Sequence, residues 1–420
     1  MTGRGYPLRQ PLTEPVDILL ADVAIRVQLS RTDYGKAVER YETINAWIER
    51  EDSRLKDRVQ LFYAQGSMAI GATIASRLRT DEFDIDVVAQ LDLPHNVSPK
   101  DALNLLFEAI RGEPGSRYYR MAKRRTRCVT VNYADNMHLD VTPMVRMGGT
   151  PERQSVIFHD RAEAPQEPSY SLVANPYGFA EWFKLNTPND QAFADIFEKR
   201  AWEYEEALRV LAEKAESEPV PSQEPAFRKS KAVIVLQLLK RWRNVQYDAR
   251  PGRKPPSIVF AKLIAEAAND TDGLSEELLH QARHMLEVFR RYHGMGRRVH
   301  VANPVCAEDV LTDRWPGTMR DQEVFIGDLE HLVRQVERLM EGCDLDEMQK
   351  IMAGLFGEVP TGEAFRNFNE TVGGMVRDGR SRHRTGTGGL VLPGVVSGVA
   401  ASTAARATPG HTFYGADDDD

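Results

Sequence analysis

The chain is 420 residues long, 42% hydrophobic, and carries a formal net charge of −8. That length exceeds one ordinary hydrophobic core, so two lobes with appendages are expected. The acidic balance argues against a protein that coats nucleic acid over its whole surface, while leaving room for a local basic cleft.

The three cysteines, Cys128, Cys306 and Cys343, are widely spaced and form no CxxC pair, which fits a reduced compartment better than a disulfide framework. The opening MTGRGYPLRQPLTEP lacks the apolar core of a secretory signal, and no apolar run approaches the roughly 20 residues of a membrane span. A cytoplasmic protein with no membrane contact is expected.

From Pro15 to Glu49 the apolar residues recur with helical period, predicting one or two long helices that pack on a sheet and span both lobes. Residues 59–148 carry the strand signals. Leu61-Phe62-Tyr63-Ala64 is an apolar run followed by Gln65-Gly66-Ser67, a candidate tight turn whose N–H groups and hydroxyl could meet phosphate. Phe83-Asp84-Ile85-Asp86-Val87-Val88 alternates apolar and acidic residues, the period of a strand. Asp84 and Asp86 then leave one face and Phe83, Ile85 and Val87 the other. Two adjacent carboxylates repel unless a cation sits between them, so the pair reads as a hard-metal site. A solvated acidic face is the competing explanation.

A helix is expected over Pro99–Arg111, and a hairpin over 127–142 with its turn at Ala134-Asp135-Asn136. Asp140 falls in the returning strand, where an adjacent position would bring it beside Asp84 and Asp86 as the third acid of a two-metal phosphoryl-transfer site. The segment 117–127 holds six basic residues and two aromatics. It reads as a solvated edge or as one wall of a nucleotide cleft; nucleic-acid binding is disfavoured because aromatics are not interleaved over a long face.

Residues 148–168, with three prolines, predict a crossing loop. Helical patterns follow over 179–211, Lys229–Tyr247, 256–293 and 320–355. Trp242 and Leu239 read as core. His280 and His284 are four apart but lack nearby partners for a zinc site. From about 359 the chain is rich in Gly, Ala, Ser and Thr and ends in four aspartates, predicting a flexible tail.

Gly66-Ser67, Asp84-x-Asp86 and the later strand residue Asp140 resemble the nucleotidyltransferase superfamily with a polymerase-beta-like core, and more closely the cGAS/DncV-like nucleotidyltransferases of bacterial anti-phage signalling. The 71–74 run, Asn175-Pro176-Tyr177-Gly178, Leu239-Lys240-Arg241-Trp242-Arg243 and Pro256-Ser257-Ile258-Val259 add to the likeness, which covers about residues 40–345. The resemblance implies an α+β fold: a sheet-based catalytic lobe with an N-terminal helix (1–165), a helical lobe (166–358) and the tail (359–420). It implies Asp84, Asp86 and Asp140 as catalytic and metal-binding residues for two Mg2+ ions, with Mn2+ as a substitute. Gln65, Gly66, Ser67, Lys240 and Ser257 would hold the donor nucleotide, Lys240 and Ser257 forming a triphosphate clamp. The expected activity is template-independent joining of NTPs into a cyclic oligonucleotide, most simply a cyclic dinucleotide. The rivals are an RNA-tailing or protein- or drug-modifying transferase and an inactive nucleotide-sensing module. The resemblance also implies a ubiquitin-like conjugation enzyme as partner of the C-terminus, although Asp417–Asp420 depart from the small terminal residue of the family pattern.

Overall fold

The structure, a computed structural model, describes residues 12 and 14–377 apart from 78–80, 149–150, 165, 188–189, 214–228, 270 and 272, together with 382–384, 390–391 and 405–407. The N-terminal periodicity resolves into two helices, α1 (Pro15–Val27) and α2 (Arg31–Ile48). Between them the chain is extended, and Ser30 caps α2 by accepting from the Asp33 amide at 3.1 Å. The break matters because the two helices enter different cores. α1 is buried on nearly all sides within the helical cluster, whereas α2 covers the sheet through Ala37, Ile44 and Ile48.

The sheet begins with β1 (Val59–Ala64), which leads through a short helix, α3 (Gly66–Ala69), and β2 (Ser76–Arg77) into the long β3 (Asp81–Leu91). Helix α4 (Pro99–Arg111) starts at the Ser98 cap and ends at Gly112, whose φ of +66° lets the chain turn away. It packs behind the sheet and carries the chain past β4 (Ala122–Arg124) and β5 (Val129–Asn132) to β6 (Met137–Arg146). The strand order is β1-β3-β6-β5-β4, with β3 and β6 parallel and the other pairs antiparallel. Phe83, Ile85, Val87, Leu139 and Val141 fill the face toward α2 and α4. The opposite face carries the acids.

The expected crossing loop at 148–168 contains a strand, β7 (Ser155–His159), which extends the sheet from the far half of β6 and pairs with β8 (Tyr170–Ala174). Buried Phe158 gives that strand its packing.

The helical part comprises α5 (Pro176–Asn186), α6 (Gln191–Glu213), α7 (Lys231–Tyr247), α8 (Ser257–Ala267), α9 (Leu274–Gly294), α10 (Met319–Glu341), α11 (Leu345–Phe356) and α12 (Glu358–Arg377). A hairpin of β9 (Ala302–Asn303) and β10 (Cys306–Val310) sits between α9 and α10. The expected single helix over 320–355 is broken at Gly342, φ +96°, and restarts at the Asp344 cap. Helix α7 is central: Trp242 is fully buried and meets Phe325 at 6.0 Å, so it is core.

Two boundaries fall elsewhere than the sequence suggests. Helix α1 packs with α6, α7, α9 and α12 rather than with the sheet. The stretch from 359, expected to be tail, is helical to Arg377 and buries Ala364, Phe365 and Phe368. Most of the remaining tail lies outside the described residues.

Candidate active site

Asp84 and Asp86 leave the same face of β3, and in the parallel β3–β6 pairing Asp86 stands directly beside Asp140. The structure therefore brings the three predicted acids together on neighbouring strands. Asp84 is exposed and the other two are partly exposed. Burial, the Asp140 charge and the Asp84 charge push the Asp86 carboxyl up to about 7, against a smaller opposing effect of Lys240. On β5, Thr130 lies across from Asp140 and donates to its Oδ1 at 2.5 Å.

Gly66 has φ +57°, and a Cβ there would lie 2.7 Å from Asp86 Oδ2. The glycine is therefore required twice, by its backbone conformation and by the close approach of the carboxylate. Gln65 accompanies it: its amide donates to the Asp86 carbonyl at 2.8 Å and its side chain to Thr142 Oγ1 at 3.1 Å. Ser67 sits in α3, and its carbonyl accepts from the Ala72 amide at 2.8 Å.

The following residues cross from one core to the other, since Met68 belongs to the sheet cluster but Ile70, Ala72 and Ile74 belong to the helical one. Helix α7 holds them by two bonds: Lys240 Nζ donates to the Ala72 carbonyl at 2.7 Å, and Gln237 Nε2 to the Thr73 carbonyl at 2.9 Å. Lys240 is 6% exposed. Its burial and the Arg243 charge lower its pKa to about 7, while Asp86 and Asp84 act in the opposite sense.

Ser257 is the first residue of α8, as expected, and is partly exposed. Arg243, one turn beyond Lys240, donates to the Pro255 carbonyl at 3.0 Å just ahead of Ser257. Its pKa falls to about 10 through burial, against the favourable charge of Asp84. Sequence reasoning singled out neither Gln237 nor Arg243 as a site residue. The available signal was their spacing of three from Lys240, which places all three on one helix face.

An open cavity of about 450 Å3 lies against the acid-bearing face of the sheet, lined among others by Asp84, Arg125, Arg127, Thr130, His138, Asp140 and Arg314. Two arginines of the basic 117–127 segment thus line the same cavity as Asp84 and Asp140. Arg127 also forms an ion pair with Asp313 and donates from Nε to His159 Nδ1 at 3.1 Å. Arg314 precedes Trp315, which is buried against Phe325 at 5.2 Å and fixes that loop.

Among the described residues no group of three or more His, Cys, Asp or Glu side chains is placed so as to hold a metal ion. Mg2+ does not need such a group, because it binds through one or two carboxylates, water and substrate phosphate. The donor chemistry fits: hard oxygen ligands whose ionisation burial first, and then mutual repulsion, make costly at Asp86, a cost that a cation would relieve.

Comparison with known proteins places the chain in a family. Residues 17–184 match the model of the Second Messenger Oligonucleotide or Dinucleotide Synthetase domain. The chain is 35% identical to the cyclic dinucleotide synthase CdnG of Bradyrhizobium diazoefficiens over 408 residues, covering 96% of each chain. It is 26% identical to the c-di-GMP synthase of Roseivirga ehrenbergii, covering 94% of this chain and 96% of that one. The solved structure of the B. diazoefficiens CD-NTase CdnG in complex with GTP matches with a TM-score of 0.72 and 33% identity, over 85% of this chain and 100% of that chain. The Escherichia coli MS115-1 CdnC structure with ATP shares the fold, with a TM-score of 0.55 and 15% identity over 81% of this chain and 97% of that one. The chain is a nucleotidyltransferase and belongs to the cGAS/DncV-like family of second-messenger synthases.

Proposed function

We propose that the protein joins NTPs, GTP foremost, into a cyclic dinucleotide without a template. The observation that carries this reading is the in-register pairing of Asp86 with Asp140, which gathers three carboxylates opposite the cations of α7. The choice of GTP is supported by the relatives, one named a c-di-GMP synthase and one solved with GTP. The cavity lies within the usual 300–1,000 Å3 range for small-molecule sites.

In this reading Asp84, Asp86 and Asp140 would hold two Mg2+ ions, with Mn2+ as a substitute. Bound metal supplies Lewis-acid charge at the phosphoryl oxygens and favours deprotonation of the acceptor hydroxyl. The chain's own groups orient the reactants. The turn at Gln65, Gly66 and Ser67 presents backbone N–H groups to the donor phosphates, and Lys240 with Ser257 steadies the triphosphate. Arg243 adds positive charge on the same helix face. An acceptor hydroxyl attacks the α-phosphate, pyrophosphate leaves, and a second round closes the ring. The product would act as a second messenger in anti-phage defence within the cytoplasm, and the C-terminus would be open to ubiquitin-like conjugation. Family membership supports both statements.

The test is incubation of purified protein with Mg2+ and each NTP, singly and together, with products resolved by mass and by linkage-specific nucleases. A cyclic dinucleotide containing guanine is the expected result. A tailed polymer or unchanged NTPs would overturn the reading.

A further inference from the structure

We infer that Thr130 is a positioning residue for Asp140, fixing the rotation of its carboxylate before metal and nucleotide bind. This rests on the proposed role of Asp140. Thr130 is 5% exposed and stands directly across the antiparallel β5–β6 pair from Asp140. Its Oγ1 accepts from Arg125 Nε at 3.3 Å and donates to Asp140 Oδ1 at 2.5 Å.

The direction of this chain of bonds is set by chemistry. A guanidinium can only donate, a carboxylate accepts, and a threonine hydroxyl has a single proton. With Arg125 taking an acceptor lone pair, the Thr130 proton goes to Asp140. The branched Cβ restricts the threonine side chain to few rotamers, so the donor is itself held in place. The restraint has something to oppose, because Asp86 lies beside Asp140 on the other flank and the two carboxylates repel. Without the hydroxyl, Asp140 would turn away from Asp86 in the metal-free protein. Reactant binding would then have to bring it back. Thr130 thus contributes preorganisation by holding Asp140 in place.

The discriminating variants of the full-length chain are Thr130→Val, which keeps shape and loses the donor, and Thr130→Ser, which restores it. Turnover, Mn2+ binding by electron paramagnetic resonance with a non-hydrolysable GTP analogue, and the thermal midpoint without metal would be measured on each. Thr130→Val is expected to lower kcat by about 10- to 100-fold, the range for a lost hydrogen bond to a charged group. KM for GTP should stay within about threefold and Mn2+ should bind more weakly, while Thr130→Ser returns both kcat and Mn2+ binding toward wild type. Unchanged kcat and Mn2+ affinity in Thr130→Val would overturn the inference. So would equal impairment of the valine and serine variants, which would mark a packing role. Should the valine variant fail to fold, Thr130→Ala takes its place with the same expectations. If the wild type makes no dinucleotide, the functional reading falls, and equal Mn2+ affinity in wild type and variant alone overturns the role of Thr130.

Discussion

Lys240 Nζ donates to the Ala72 carbonyl at 2.7 Å, so the lysine proposed to grip the triphosphate also fastens the loop that follows Gly66-Ser67. Gln237, one turn earlier, fastens the next carbonyl of that loop. The loop after the turn proposed to face the donor phosphates is therefore held by the helical part.

The two roles separate by mutation. Lys240→Met should weaken GTP binding by about 10- to 100-fold, the loss of one charge-assisted contact worth roughly 1.5–3 kcal/mol, and should weaken GMP binding much less. Gln237→Leu, which removes only the loop tether, should cost about 1 kcal/mol and leave the ratio of GTP to GMP affinity unchanged. Calorimetric titration of both nucleotides against both variants checks this. Equal proportional losses for GTP and GMP in Lys240→Met would contradict the phosphate role.

Asp84→Ala with Asp86→Ala should abolish product, as should removal of Mg2+ with EDTA, while the fold survives. Burial and mutual repulsion make the acid cluster electrostatically costly when metal is absent. The thermal midpoint in metal-free buffer should therefore hold steady or rise. Retained turnover in the double variant would remove these residues from the active site.

The acids were legible because a strand displays its pattern locally: period two at 83–88, a turn at 134–136 and an acid in the returning strand. Other features depend on where side-chain tips end. Nothing in the string Leu239-Lys240-Arg241 shows that Lys240 reaches a carbonyl 168 positions away or that Arg241 reaches the Phe356 carbonyl. The break between α1 and α2 had a visible sign in Ser30 with Asp33, but the apolar residues of α1, buried on nearly all sides, blur the single stripe that would mark a separate helix. Helix α12 was masked by its glycines, although Phe365, Phe368 and Val372 keep helical spacing.

Gly66→Ala should damage both stability and activity. The backbone there has φ +57° and the new methyl would meet Asp86 Oδ2 at 2.7 Å. A cost of about 1–3 kcal/mol is expected from the strained conformation, read from urea unfolding, together with loss of most turnover. A variant with wild-type turnover and stability would show that the turn relaxes freely.

The buried Asp17 offers a test of pH dependence away from the active site. Its carboxylate accepts from the Ser275 amide at 2.7 Å at the start of α9, yet burial outweighs that bond and raises its pKa above the ordinary 3.8. Between 3.8 and the raised folded value the folded chain holds a proton that the unfolded chain has lost. This group's contribution to stability therefore falls as pH rises through that window. Asp17→Asn keeps an acceptor and removes the buried charge, so it should be relatively more stable at neutral pH than at pH 4. Denaturant midpoints across pH 4–8 measure the difference, and a gap that widens on acidification would reverse the sign argued here.

Truncation distinguishes the last helix from the residues beyond it. Helix α12 runs to Arg377 and buries Ala364, Phe365 and Phe368 against the helical core, in contact with α1. Ending the chain after Asp378 leaves that packing whole and should keep turnover and the thermal midpoint near those of the full chain. Ending it after Phe356 removes two buried phenylalanines, each worth about 1.5–3 kcal/mol of burial, and exposes the face of α1 that they cover. That shorter chain should lose several kcal/mol of stability, enough to leave many domains unfolded. A large loss of GTP turnover after the Asp378 truncation alone would assign residues 379–420 to the synthetic reaction.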